Sequence, residues 1–288
     1  MKLTTEVRCE NIPVSFSPED GICVIGSCFA DAVGEPLADA GFRVLRNPFG
    51  TLYNPASIAA AVARLDNAAP FTPADCVEMG AGAGRVCSFS HHTSFARASV
   101  EAFLEHANAR LAADAEAWKR CDKVILSLGT AYVWRVLALP GQPVAANCLK
   151  RPAREFAHEL LSVGDCAALL RGILDAHPEK QFLLTVSPIR HLGGGAHANT
   201  LSKATLQLAV REVLPARNAG YFPAYEILLD ELRDYRFYAE DLVHPSPTAV
   251  RIIWERFLEA CMPAAYHERI RLAEKAARAA RHRPGLLP

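Results

Sequence analysis

The sequence predicts an α/β fold in which helices cover a central parallel sheet. Short apolar runs of strand length alternate with longer segments of helical periodicity, which is typical of parallel strands joined by crossover helices. The 288-residue chain is 51% hydrophobic and 22% charged, a composition that suits a globular protein with a sizeable core. Lys+Arg and Asp+Glu both number 31, so the balance of charge favours neither nucleic acid nor a membrane surface as a partner. We expect a ligand to be recognised locally, in a pocket.

Hydrophobic periodicity places the strands and helices along the chain. The predicted strands lie at 21–25, 42–45, 123–128, 181–186 and 220–222. The predicted helices lie at 29–40, from the loop 47–55 through about 65, 99–120, about 154–176, near 200–214 and from Ser246 onward. Pro36 predicts a kink or a late start in the first helix. Ser246 and Pro247 predict the start of the last core helix, with serine as N-cap and proline at the first helical position.

Three segments fall outside this alternation. Residues 66–98 are rich in Gly, Ala, Pro and Asp and predict an insertion or a lid, with a hairpin around Val86 to Phe89. Residues 132–139 predict an extra strand. The segment from about His267 is basic and predicts a solvated helix, with an anionic partner as the alternative. We expect one domain over 1–264 and a basic helical tail over 265–288.

The nine cysteines are scattered, and no pair has the Cys-x-x-Cys spacing of a zinc site or a redox dithiol. Reduced thiols in a reducing compartment are the expected state. The N-terminal segment lacks the apolar run of a secretory signal, and no stretch of 18 consecutive apolar residues predicts a membrane-spanning helix. The expected location is the cytoplasm.

Polar residues follow four of the predicted strands, at the edge where open α/β sheets bind ligands. They are Ser27, the loop from Asn47 to Asn54, Gly129 with Thr130, and the segment from Ser187 to Arg190 and His191. Asp241 and His244 come just before the last core helix. A serine hydroxyl is a poor nucleophile until a base takes its proton, and the base needs a third group to fix its tautomer. Ser27, His244 and Asp241 can fill these roles, which predicts ester hydrolysis or acyl transfer.

The turn after the first strand also indicates how an oxyanion is held. Gly26 permits a tight turn, and backbone N–H groups at the start of the next helix can face a developing negative charge. The turn is not a Gly-x-Ser-x-Gly elbow, which disfavours the α/β-hydrolase fold.

Several alternatives remain open at this stage. Cys28 is a second candidate nucleophile, although we expect its side chain to point into the helix packing. Arg190 either anchors an anionic substrate or fixes its loop. His91 and His92 fit a surface position, or one behind the site, better than a metal site. With no metal-ligand spacing, Gly-x-Gly-x-x-Gly motif or P-loop, neither metal nor cofactor is expected. A non-catalytic carbohydrate- or ligand-binding module is the alternative class, and nucleic-acid binding through the basic tail is a third.

These motifs resemble the GSCFA domain family, a branch of the SGNH/GDSL hydrolase superfamily of bacterial-type enzymes. The signature is Gly26-Ser27-Cys28-Phe29-Ala30. Further similar stretches lie at 47–55, 128–131, 185–191, 221–226 and 239–246, and the likeness runs from about residue 3 to 262.

The resemblance implies a three-layer α/β/α sandwich with the flavodoxin-like strand order 2-1-3-4-5. It implies that Ser27 is the nucleophile, that Asp241 and His244 form the superfamily's Asp-x-x-His pair, and that Gly50 is an oxyanion glycine. The substrate class it suggests is a small or carbohydrate-linked O-acyl ester, with transfer to another hydroxyl as the nearest alternative.

One block departs from the superfamily pattern. Where the pattern is Gly-x-Asn-Asp, this chain has Gly129-Thr130-Ala131-Tyr132, so the asparagine oxyanion donor is absent. Loss of one such donor costs roughly 3–4 kcal/mol of transition-state stabilisation. We expect Thr130, Asn47 or Asn54 to substitute, the alternative being a weak or specialised activity.

Overall fold

A five-stranded parallel sheet forms the centre of the protein. The computed structural model describes residues 5–80, 82–214, 216 and 218–281. Along the chain the strands are β1 (Gly21–Gly26), β2 (Arg43–Arg46), β3 (Val77–Glu78), β4 (Val86–Cys87), β5 (Lys123–Leu128), β6 (Tyr132–Val136), β7 (Val144–Ala145), β8 (Phe156–Leu160), β9 (Gln181–Val186) and β10 (Ala219–Tyr221). The central sheet has the order β2-β1-β5-β9-β10, and every neighbouring pair in it is parallel.

The expected order 2-1-3-4-5 is found only in part when all strands of the chain are numbered. The first two positions agree, and the next three are taken by β5, β9 and β10. The numbering differs because short strands of two small accessory sheets, β3-β4 and β7-β6-β8, intervene along the chain.

Helices cover both faces of the sheet, which confirms the three-layer α/β/α architecture. They are α1 (Cys28–Asp39), α2 (Pro55–Asn67), α3 (Val100–Lys119), α4 (Val163–Ala176), α5 (Gly195–Val213), α6 (Ala224–Glu226), α7 (Pro247–Cys261) and α8 (His267–Arg281). Alternate residues of β1 enter different cores, because side chains of a strand point to opposite faces in turn. Cys23 and Ile25 pack with α2 to α5, whereas Ile22 and Val24 pack with α1 and α7.

Two predicted helices differ from the observed ones. The helix expected at 154–176 begins only at Val163, because Ser162 and Asp165 form a capping box there. The residues before it form β8, which pairs antiparallel with β6, so that Trp134 lies opposite His158. α1 begins directly after Ser27, so the late start allowed for by Pro36 is wrong.

The segment 66–98 packs on the body of the protein. Its hairpin, β3 with β4, is antiparallel, and Phe71, Cys87 and Phe95 join the main apolar core. His91 is only 1% exposed and its ring contacts four phenylalanines, so the expectation of a surface position is wrong for this histidine. Among the described residues no group of His, Cys, Asp and Glu could hold a metal ion.

The basic segment after residue 265 forms α8 as far as Arg281, and the prediction for 282–288 lies outside the described residues. Ile270 is buried in the core beside α1 and α7, and Arg281 makes ion pairs with Glu35 and Asp39 of α1. No helix in the described part of the chain is long and apolar enough to cross a membrane.

Candidate active site

The turn after β1 brings Ser27 against the neighbouring strand. Gly26 has φ +145°, and a Cβ at this position would lie 2.1 Å from Ser127 O, so only glycine fits. Ser27 N donates to Ser127 O at 3.0 Å. Asn47 Oδ1 accepts from Gly26 N at 2.9 Å and so holds the turn from the end of β2. The backbone of Ser27 is therefore fixed at the carboxyl ends of β1 and β5.

The Ser27 side chain is the N-cap of α1 and is 1% exposed. Its Oγ accepts from Phe29 N at 3.2 Å and lies 2.9 Å from Ser127 Oγ. In this conformation the hydroxyl is hydrogen-bonded to another serine and not to an imidazole.

Asp241 and His244 form a hydrogen-bonded pair in the loop before α7. His244 Nδ1 and Asp241 Oδ2 are 2.6 Å apart. Asp241 Oδ1 also accepts from the N–H groups of Val243 and His244, both at 2.9 Å. These two backbone donors and the imidazole lower the pKa of Asp241 to about 2. The carboxylate therefore stays charged and fixes the ring, which leaves His244 Nε2 for a reaction partner.

A cavity of about 580 Å³ lies over the carboxyl ends of the strands. Loops that follow β1, β2, β5 and β9 line it, together with the loop of His244. Larger hollows of about 710 and 890 Å³ lie between α1, α7 and α8 and beside α2 and α4, away from these strand ends. We place the candidate site in the smaller cavity because the polar strand ends meet there.

Cys28 lines this cavity, whereas the preceding residue, Ser27, is buried and does not line it. The Cys28 Sγ is 3.7 Å from the Tyr53 hydroxyl and is half-buried. Cys28 packs partly against the core beside α1 and α7, as expected, and it also lines the cavity at the start of α1. Both residues therefore remain candidates for the nucleophile.

Two of the expected oxyanion groups are already engaged. Gly50 N donates to Asn47 O at 2.7 Å, and Gly50 packs against His92 away from the cavity. The oxyanion role implied for Gly50 is therefore not available in this conformation. Asn47 uses its side-chain oxygen on Gly26; its buried Nδ2 has no partner among the described residues, but Asn47 does not line the cavity.

Thr130 and Asn54 both line the cavity. The Thr130 hydroxyl is 2.9 Å from Ser202 Oγ and accepts from Tyr132 N at 3.1 Å, so it is held by protein groups. Asn54 caps α2 by accepting from Ser57 N with Oδ1, which leaves its amide nitrogen as the donor. Of the residues expected to replace the absent asparagine, Asn54 is the best placed.

Gly129, Arg190 and His191 form the side of the cavity near β5 and β9. The N–H groups of Gly129 and Thr130 both donate to Tyr53 O at 2.8 Å. His191 packs on Gly129, and its pKa is lowered to about 4 by burial, by Lys203 and by His244. Arg190 N donates to Val243 O at 3.3 Å, which ties this loop to that of His244, and its side chain lines the cavity.

The sequence was compared with protein families, curated proteins and solved structures. The model of the GSCFA family matches residues 21–257, a span that includes Ser27, Asp241 and His244. The chain belongs to the GSCFA family. No curated protein matches it significantly.

A solved structure similar to this GSCFA protein is a mutant of an acetyl-xylooligosaccharide esterase from Geobacillus Stearmophilus. The two are 19% identical with a TM-score of 0.33, and the match covers 54% of this chain and 66% of that one, slightly less than two thirds. A likeness at this level carries no argument about activity.

Lys203 supports the site of this GSCFA protein and was missed from the sequence. Its Nζ donates to Gly129 O at 2.6 Å and to Ser187 O at 2.7 Å, joining the ends of β5 and β9. Burial lowers the pKa of Lys203 to about 7. A signal was present: Lys203 falls on the apolar stripe of α5 with Leu206 and Val210, where a solvated lysine is not expected.

An aromatic wall closes the cavity on the side of the accessory sheet. Its residues are Tyr132, Trp134 and His158, all of which line the cavity. The His158 ring stacks on Trp134 at 4.1 Å and on Tyr132 at 4.7 Å between centroids. Sequence periodicity does not reveal this wall, because it predicts a helix where β8 lies.

Proposed function

We propose that this GSCFA protein is a serine-dependent hydrolase of small or carbohydrate-linked O-acyl esters. The observation that carries the proposal is the hydrogen-bonded Asp241–His244 pair beside a cavity lined by His244 and by Cys28, the residue that follows Ser27. A base oriented by a carboxylate, next to a serine at a helix N-terminus, is an arrangement that activates a hydroxyl for acyl chemistry.

In the first step Ser27 rotates away from Ser127 and its hydroxyl turns toward His244. The resting hydrogen bond contributes about 1 kcal/mol net, so giving it up adds little to the barrier. Ser27 Oγ then bonds to the ester carbonyl carbon while His244 takes its proton. The tetrahedral intermediate collapses, and the alcohol leaves with that proton.

In the second step water attacks the acyl carbon while His244 takes its proton. The bond between that carbon and Ser27 Oγ then breaks, His244 returns the proton to Ser27 Oγ, and the carboxylic acid leaves. Asp241 keeps the imidazole in one tautomer and stabilises its charged form throughout. General-base assistance of this kind contributes roughly 10²- to 10⁴-fold in rate. Transfer to another hydroxyl uses the same acyl-enzyme, with an alcohol in place of water.

The cavity supports a substrate of modest size. Its volume of about 580 Å³ falls in the range of small-ligand sites. Trp134 and Tyr132 offer apolar ring surface, while Asn54, Arg190 and His191 offer polar groups. This mixture suits a short acyl ester of a polyhydroxylated alcohol. The nine cysteines are all free in the structure, which supports a reducing compartment such as the cytoplasm as the place of action.

A non-catalytic binding protein is the second candidate, favoured by one observation. The Ser27 hydroxyl is buried and hydrogen-bonded to Ser127, whereas the cavity itself is lined by aromatic rings and polar side chains. In that case the cavity holds its ligand without reaction.

Hydrolysis of p-nitrophenyl acetate and of acetylated sugars tests the proposal, with Ser27→Ala and Cys28→Ala as matched neighbouring variants. We expect Ser27→Ala to lose at least about 10³-fold in kcat and Cys28→Ala to stay within a few-fold of the native protein. Circular dichroism and the melting temperature establish that each variant folds. The reverse pattern would assign the nucleophile to Cys28, and an inactive native protein that binds acetylated sugars would favour the binding module.

A further inference from the structure

The proposed reaction needs donors for the oxyanion, and the backbone N–H groups of Ser27 and Gly50 do not supply them. The N–H groups of Ser27 and Gly50 already donate to Ser127 O and Asn47 O. The Cys28 N–H, at the first helical position, has no partner within its helix, and the Asn54 amide faces the cavity. These two donors leave the side of the cavity near Gly129 without one.

His191 stands on that side with a nitrogen that lacks a partner. Its Nε2 is buried and makes no hydrogen bond within the described part of the chain. A Cβ at residue 129 would lie 3.0 Å from His191 Nε2 and 3.2 Å from Ser27 Cβ. The imidazole nitrogen and the serine therefore lie against the same glycine, which permits the approach because it has no side chain.

We propose that His191 is a further catalytic residue, whose Nε2–H donates a hydrogen bond to the oxyanion formed on the substrate. The inference rests on the proposed function and names the group that replaces the absent asparagine. Buried polar atoms in proteins are almost always paired, so an unpaired one beside a reactive serine points to a ligand that completes it.

The electrostatics require His191 to act as a neutral imidazole. Lys203 and His244 are the ionisable groups that act on it, and both disfavour a positive charge on its ring. The Tyr53 ring packs on its edge at 5.4 Å, and Asn199 accepts from its backbone N–H. Burial, and after it the charges of Lys203 and His244, lower the pKa of His191 to about 4.

The chemistry of an ester decides which proton the ring must carry. An ester offers the site oxygen acceptors and no donors. Nε2 can therefore bond to the carbonyl oxygen of the ester only if it carries the hydrogen, which makes Nδ1 the unprotonated nitrogen.

In the reaction His191 transfers no proton. When Ser27 Oγ bonds to the carbonyl carbon, the π electron pair of the carbonyl moves to its oxygen, and the Nε2–H donates to the negative charge. When the carbonyl re-forms, the alcohol leaves with the proton from His244. The hydrogen bond is strongest at the intermediate, so its effect falls on kcat.

Kinetics with His191→Ala, His191→Gln and the control His106→Ala, a histidine of α3 that does not line the cavity, test this role. We expect His191→Ala to reduce kcat roughly 10²- to 10³-fold with KM changed only a few-fold, as for loss of an oxyanion donor. His191→Gln should recover at least about tenfold of that loss, because an amide can donate but cannot act as a base at neutral pH. His106→Ala should leave kcat within about threefold. A glutamine variant no better than alanine, or a kcat unchanged in His191→Ala, overturns the proposal.

Nitrogen-15 NMR of the imidazoles, assigned with His191→Ala, gives a readout that does not depend on turnover. We expect His191 to carry its proton on Nε2 and to remain neutral at pH 6; a proton on Nδ1 overturns the inference. If the native protein is inactive, the proposed function is wrong, and this inference is wrong with it. An active native protein with an unaffected His191→Ala variant is failure of the inference alone.

Discussion

The hydroxyl oxygens of Ser27 and Ser127 lie 2.9 Å apart in the interior, where β1 and β5 end side by side. This contact keeps the proposed nucleophile in a resting rotamer, and the hydroxyl must leave it to reach His244.

Ser127→Ala should release the Ser27 hydroxyl. We expect the free energy of unfolding to fall by about 1 kcal/mol, since a buried hydrogen bond is lost. The reactive rotamer becomes more populated, so kcat should stay the same or rise a few-fold. Urea unfolding and p-nitrophenyl acetate kinetics measure the two effects, with Ser88→Ala as a control for a buried serine outside the cavity. A kcat as low as that of Ser27→Ala would mean that the Ser127 hydroxyl takes part in the reaction.

Asp241→Asn should reduce kcat roughly 10²- to 10⁴-fold, because the amide no longer fixes the His244 tautomer that accepts a proton. The exposed Asp234, which caps its own short turn, offers the matched control Asp234→Asn, for which kcat should stay unchanged. The pKa of Asp241 is lowered to about 2, so its carboxylate stays ionised at every pH above about 4. The pH–rate profile of the native enzyme should therefore show no inflection from this group above pH 4, and equal activity of Asp241→Asn and native protein would remove Asp241 from the mechanism.

Lys203→Met should destabilise the protein and impair the site together. The variant leaves the buried carbonyls of Gly129 and Ser187 without the Nζ donor, at about 1–3 kcal/mol for each unsatisfied group. Those carbonyls belong to the strand ends that carry Thr130 and His191, so kcat should fall as well. Denaturant unfolding and kinetics are compared with Lys275→Met, an exposed lysine of α8. Native-like stability in Lys203→Met would contradict this role.

The buried His91 should make the fold less stable in acid. Its Nδ1 lies 2.7 Å from Ser88 Oγ, and burial lowers its pKa to about 3, against an ordinary value of 6.5. As the pH falls below about 6.5, His91 becomes protonated in the unfolded chain but stays neutral in the folded protein. The free energy of unfolding should therefore fall by up to about 1.4 kcal/mol per pH unit from this residue, down to pH 3.

Urea unfolding of His91→Gln at pH 7 and pH 5 measures this contribution. The free energy of unfolding should depend less on pH in the variant than in the native protein. The difference should correspond to the protonation of one histidine. His191 titrates in both proteins and cancels in the comparison. An identical pH dependence in the two proteins would show that His91 takes up its proton without unfolding.

The sequence predicts the sheet well where a strand is buried on both faces. β5 and β9 have the predicted bounds, because continuous apolar runs end at polar or glycine residues on each side. The sequence predicts a helix where β8 lies, because the composition of this segment suits a helix as well as a strand. Only the pairing with β6 makes it a strand.

The candidate site likewise has some features that the local sequence predicts and others that only tertiary contacts create. The hydrogen bond between Asp241 and His244 follows from their local spacing, and the Ser27 turn follows from Gly26. Lys203 and Ser127 join the site only through tertiary contacts. Lys203 donates to two backbone carbonyls, and Ser127 contacts the Ser27 hydroxyl at the end of the adjacent strand. Gly50 lies in the motif block that implies an oxyanion role, yet its N–H turns to Asn47 O, which no residue pattern indicates.

The most direct test of the central claim is covalent labelling with a fluorophosphonate, followed by peptide mass spectrometry. The reagent forms a stable phosphonyl ester with an activated serine and resembles the tetrahedral intermediate. The account predicts one adduct, on Ser27, that disappears in Ser27→Ala and is strongly reduced in His244→Ala. A native protein that remains unlabelled, or an adduct that maps to another residue and persists in Ser27→Ala, would contradict it.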